Sequence, residues 1–154
     1  MRKLEEFVNE KLKVSKNQFK PKDSKELQEM IIDAVKDDPE ADLNFIDTSL
    51  ITSMNSLFDD INFDGDISNW DVSSVHDMAY MFWRSNFTGK NSPGMNNWDV
   101  SNVLAMDSMF EQSKFEQDIS GWEIDPICSK EAMFAHCPLS NKHEFIPQCL
   151  LRRI

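Results

Sequence analysis

The stretch Trp70-Asp71-Val72-Ser73-Ser74-Val75-His76-Asp77-Met78-Ala79-Tyr80-Met81-Phe82 decides how this chain is read. It recurs as Trp98-Asp99-Val100-Ser101-Asn102-Val103-Leu104-Ala105-Met106-Asp107-Ser108-Met109-Phe110. Trp, Asp, Val, Ser, Val, Met, Met and Phe keep identical offsets, the mark of a repeat architecture. The same offsets select Ile46, Asp47, Thr48, Ser49, Ile51, Met54, Leu57 and Phe58 upstream. Downstream they select Trp122, Glu123, Ile124, Asp125, Ile127, Met133 and Phe134.

The register extends beyond the motif. Leu43, Ile67, Met95 and Ile119 stand three residues before each anchor, and Phe63, Phe87, Phe115 and Leu139 five residues after each terminal Phe. Anchors at positions 46, 70, 98 and 122 are separated by 24, 28 and 24 residues. The four extra residues fall near Gly89-Lys90-Asn91-Ser92-Pro93-Gly94, whose turn formers tolerate a bulge.

Within a unit, Ile67, Trp70 and Val72 follow the L-x-x-L-x-L spacing of a short strand. Val75, Met78, Met81 and Phe82, at i, i+3, i+6 and i+7, suit one buried stripe of a short helix. Ser49, Ser73, Ser101 and Asp125 sit where a helix N-cap belongs, and Pro126 suits a first helical position. The expected fold class is therefore α/β: a short leucine-rich-repeat-like solenoid of four strand-turn-helix units with an N-terminal helical cap.

These residues resemble the BspA-like leucine-rich repeats of bacterial surface proteins and mycoplasma lipoproteins, with their W-D-V-S-x-V-x-x-M-x-x-M-F core. The resemblance spans roughly two thirds of the chain. It implies adhesion or protein recognition without catalysis, and similar repeats are carried by bacteriophages. Lys130 replaces the first Met in the last copy, which reads as a transition to a cap.

The chain divides into four segments. Residues 1–20 form an amphipathic arm, with Leu4, Phe7, Val8 and Leu12 on one helical face. Residues 21–40 form a helical cap, opened by Asp23 and Glu26 in capping-box spacing and carrying Leu27, Met30, Ile31, Ala34 and Val35. Residues 41–139 hold the repeats. Residues 140–154 close the other end with Phe145, Ile146, Leu150 and Leu151.

The net charge of −11 is unevenly placed. Residues 1–38 hold nine basic and nine acidic side chains, whereas residues 39–127 hold three and sixteen. An acidic middle repels phosphate backbones and anionic lipid, so no nucleic-acid partner is expected, and a protein partner, preferably basic, is. No apolar run reaches membrane-span length, so no membrane insertion is expected. The start of the chain lacks an apolar signal region, which favours a cytoplasmic or virion-associated location over secretion.

Asp60-x-Asn62-x-Asp64-Gly65-x-Ile67-x-x-x-Asp71 spaces oxygens like a calcium loop, but its twelfth position is Asp, without the usual bidentate Glu. Gln112, Lys114, Glu116 and Gln117 do not repeat it. Cys128, Cys137, His143 and Cys149 lack a C-x-x-C knuckle for zinc. No nucleophile elbow or phosphate-cradling loop occurs. The expectation is a non-enzyme without cofactor or metal, with a calcium-dependent binding module as an alternative. Another is a phage or bacterial accessory protein docked on a larger assembly through residues 1–20.

Trp70, Trp98 and Trp122 keep register and belong in the core. Trp83 lies outside the register, before Arg84, and is a candidate for partner contact. Asp47, Asp71, Asp99 and Glu123 alternate with inward residues and should face outward, as should Asn69 and Asn97. Like charges stacked about 4.8 Å apart repel, so this ladder either meets a basic partner or accepts N–H bonds in local turns.

Overall fold

A computed structural model describes residues 19–151. Most of the arm expected over residues 1–20 thus lies outside the described residues. The cap helix is present as α1, Ser24–Val35. Asp23 caps it by accepting the Glu26 N–H at 2.9 Å, and Glu26 reaches back to the Lys22 N–H at 2.9 Å. Leu27, Ile31, Ala34 and Val35 form its buried stripe.

The α/β solenoid of strand-turn-helix units expected after this cap does not form. Among the described residues the only other α-helix is the short α2, Gln148–Leu151, and the only β contacts are isolated parallel bridges. Those bridges, Asp42 to Asp66, Ser53 to Asp77, Asp77 to Ala105 and Ala105 to Ser129, reproduce the repeat spacing. Successive copies therefore lie side by side in register, but each is built from turns. The period of the repeat is as expected; its local structure is not.

Two observations explain why. Ser56, Tyr80, Ser108 and Ala132, ten residues after each anchor, have φ between 53° and 59°. Asp60, Arg84, Gln112 and His136, fourteen after, have φ between 54° and 56°. A helix cannot pass through left-handed residues, so the stretch expected to be helical becomes consecutive turns. The N–H groups then divide their work. Met78, Tyr80, Phe82 and Arg84 donate across to Ala105, Asp107, Met109 and Glu111 at 2.8–2.9 Å, while Met81, Trp83 and Ser85 donate back three residues to Met78, Tyr80 and Phe82. Neither a helical i→i−4 series nor a sheet ladder forms. The spacing i, i+3 is common to a helix face and a chain of turns.

The core matches the repeat positions. Leu43, Ile67, Met95 and Ile119 are buried, as are Trp70, Trp98, Trp122 and every in-register Phe up to Phe115. Phe58, Phe82, Phe110 and Phe134 stack at 5.0, 5.5 and 6.1 Å, and Phe63, Phe87 and Phe115 at 5.7 and 5.8 Å. The two columns touch at 4.1–4.8 Å, joining the coils into one aromatic spine. The four-residue insertion in the third unit forms a 3-10 turn, Pro93–Asn97.

Candidate functional site

Asp47, Asp71, Asp99 and Glu123 are all exposed, at one repeat position on four neighbouring coils. The residues expected to be N-caps are instead donors to them. Asp71 Oδ1 accepts the Ser73 N–H at 3.0 Å and the Ser73 hydroxyl at 2.6 Å. Asp99 Oδ1 does the same with Ser101, at 3.1 and 2.5 Å. Asp47 Oδ1 accepts the Ser49 N–H at 3.0 Å. Asp125, in the place of those serines, opens a turn of its own by accepting the Ile127 N–H at 2.9 Å. These are Asx-type turns, in which a carboxylate replaces a backbone carbonyl.

Hydrogen bonds from Ser101 hold the Asp99 carboxyl below its ordinary value. Those from Ser49, with Lys20 beside it, do so for Asp47. The Lys20 ammonium lies 3.3 Å from Asp47 Oδ2, so the first rung binds its turn through one oxygen and a lysine through the other. Among the described residues, nothing occupies Oδ2 of Asp71 or Asp99.

Asn69 and Asn97 are exposed one position before the anchors. The Asn69 N–H donates to Asn44 Oδ1 at 2.8 Å, and Asn97 ends the 3-10 turn of the insertion. Trp83 is half-buried in the turn Ala79–Arg84, away from the Asp71 turn at Ser73–Ser74. It sits edge-on to Tyr80 at 6.1 Å with the Arg84 guanidinium 4.4 Å over its ring. The acidic rungs and Trp83 are thus on different turns, with no contact joining them among the described residues. Beyond Trp83's place outside the register, no pattern in the sequence marks the Tyr80–Trp83–Arg84 cluster.

Two of the calcium-like side chains, Asn62 and Asp64, bond across to the next coil. Asp64 accepts the Thr88 N–H and hydroxyl, each at 2.9 Å, and Asn62 Oδ1 accepts from Asn86 Nδ2 at 3.2 Å. No group of three or more His, Cys, Asp or Glu arranged to hold a metal occurs among the described residues. Cys128 and Cys137 are buried, and burial raises both thiols above their ordinary value. Cys137 donates to the Phe115 carbonyl at 3.0 Å and fills the position of Ser113 one coil away. Cys149 is exposed, and none of the three is in a disulfide. No described helix is long and apolar enough to cross a membrane.

A comparison with protein families matches residues 12–145 to one described as "Mycoplasma protein of unknown function, DUF285". Comparisons with curated proteins and with solved structures return no match. With its in-register coils, turn-borne carboxylates and a match over most of its length, the chain belongs to the Mycoplasma DUF285 family.

Proposed function

We propose that the protein is a non-enzymatic recognition module that binds a basic segment of another protein along the rungs Asp47, Asp71, Asp99 and Glu123. The observation supporting this is the Lys20–Asp47 pair: one rung already takes an ammonium on Oδ2 while its Oδ1 stays in the turn. The next two aspartates repeat that turn with the outer oxygen free. Pre-set carboxylates recognise a Lys or Arg side chain at lower ordering cost than flexible ones, and complementary charge sets register and on-rate. Adhesion to a partner surface is the broader role this reading suggests.

The test removes charge without removing the turn. Asparagine still supplies an Asx acceptor, so Asp71→Asn with Asp99→Asn keeps the coil and deletes two rungs. Calorimetry with a lysine-rich peptide at low salt should show binding weakened about tenfold in the double variant, with salt having the same effect on the wild type. Unchanged affinity in the variant contradicts the reading.

A further inference from the structure

Outside positions eight to fourteen after the anchor, the hydrogen bonds between coils run both ways, as His76, Leu104, Ser129 and Glu116 donate to the coil before. Within those positions they share one direction, and there the two ends of the stack are chemically different. Over those positions, alternate N–H groups of the first three coils donate to carbonyls of the next. Met106, Ser108, Phe110 and Gln112 donate to Ser129, Glu131, Met133 and Ala135 at 2.7–3.0 Å. The first coil therefore ends the stack with unclaimed carbonyls and the fourth with unclaimed N–H groups.

The acceptor end is capped by α1 at two of its positions. Two side chains one turn apart on α1 take the place of a preceding coil: the Ser24 hydroxyl donates to the Ser53 carbonyl, and Gln28 Nε2 donates to the Leu57 carbonyl at 3.1 Å. Ser53 and Leu57 are the counterparts of Asp77 and Met81, which receive N–H groups from the coil before them.

The donor end is open. The N–H groups of Lys130, Ala132, Phe134 and His136 occupy the positions of Met106, Ser108, Phe110 and Gln112, and have no partner among the described residues. Phe145 does close a neighbouring part of this end, accepting the Ile119 N–H at 3.0 Å. Beside the open row lies a cleft of about 490 Å³, lined by Lys130, Glu131, Met133, Phe134, Cys149 and Leu150. Phe134 is the last ring of the aromatic column and only half-buried.

We propose that this edge is a docking site for a turn-forming segment of another polypeptide. That segment offers carbonyls at every second residue and one aromatic side chain, and adds to the stack as a fifth coil. Three features fix the chemistry of the occupant. A row of N–H donors needs acceptors at the spacing found between coils three and four. The Phe column places an aromatic ring next to Phe134. A second copy of this chain does not fit, because α1 already takes the Ser53 and Leu57 carbonyls of its acceptor edge and its donor edge would meet donors. Main-chain addition of this kind is the established logic of strand augmentation, here on an edge made of turns.

The test uses the full chain and a synthetic peptide with the sequence of residues 104–113, Leu-Ala-Met-Asp-Ser-Met-Phe-Glu-Gln-Ser. In the free protein the amides of Lys130, Ala132, Phe134 and His136 should exchange quickly, while those of Met106, Ser108, Phe110 and Gln112 are protected. Saturating peptide should shift the four edge amide resonances and slow their exchange by roughly tenfold or more. Phe134→Ala in the protein should abolish the effect, and Trp83→Ala should leave it intact. Edge amides protected before peptide is added, at all protein concentrations, would mean the chain covers its own edge. Protection that grows with protein concentration would mean a second copy does. No response at millimolar peptide would mean the edge is inert, and any of these three results overturns the proposal.

Discussion

At the scale of single residues, the unusual feature is a left-handed backbone at Ser56, Tyr80, Ser108 and Ala132 and again at Asp60, Arg84, Gln112 and His136, none of them glycine. Such a residue costs about 1 kcal/mol or more in isolation. The cross-coil bonds from the Tyr80, Arg84, Ser108 and Gln112 N–H groups offset it. No side chain common to these positions announces the conformation, so it is not legible in the sequence. Gln112→Gly should relieve the strain and raise stability by roughly 0.5 kcal/mol, once glycine's greater unfolded-state entropy is deducted, as urea unfolding would measure. Gly65 is the opposite case, since a β-carbon there would meet the Ala41 carbonyl oxygen at 2.0 Å. Gly65→Ala should therefore destabilise by about 2 kcal/mol or more. The indoles also differ: Trp70 and Trp122 donate to the Leu43 and Met95 carbonyls at 3.0 and 2.7 Å, whereas Trp98 Nε1 is buried without a partner among the described residues. Trp→Phe should cost about 1 kcal/mol more at 70 and 122 than at 98, because only there is a hydrogen bond lost.

At the scale of elements, α1 is legible because its signals are local: an Asp23 cap, a Glu26 three residues on, and an apolar stripe ending before Asp38-Pro39. The turns are not. Their inward residues repeat at i and i+3 as in a helix, and the deciding bonds run to residues more than twenty positions away. The role of α1 as a stand-in for a preceding coil depends on Ser24 and Gln28, polar residues outside its apolar stripe. Ser24→Ala with Gln28→Ala should cost about 2 kcal/mol by chemical denaturation without lowering helix content, since Asp23 still caps α1. The Asx turns make a prediction in pH. Asp99 has a folded-state pKa below its ordinary value, so its contribution to stability is present above the ordinary carboxylate range and is lost as pH falls through the lowered value. In urea titrations, Asp99→Ala should therefore be less stable than wild type at neutral pH, and the difference should shrink as the solution is acidified below the ordinary carboxylate range.

At the scale of the whole molecule, the period, the buried positions and the acidic middle are all readable from the chain, because each is a property of register. Every copy places Leu, Ile or Met, then Trp or Ile, then Met or Leu, and Phe at fixed offsets, and all of them are buried except the half-buried Phe134 of the last copy. The exposed rungs are readable for the same reason. Their local bonds are not: that Asp71 and Asp99 hold a turn through one oxygen, and Asp47 a turn and Lys20 through its two, follows from geometry that register alone does not give. The fold rests on a division of labour in which alternate N–H groups run across the coils while the rest close turns. Scalar couplings across hydrogen bonds, measured by NMR on isotopically labelled protein, report donor and acceptor directly. Couplings are expected from the amides of Tyr80, Phe82 and Arg84 to the carbonyls of Asp107, Met109 and Glu111. Couplings from those amides to the carbonyls four residues earlier would restore the helix and contradict the coil of turns.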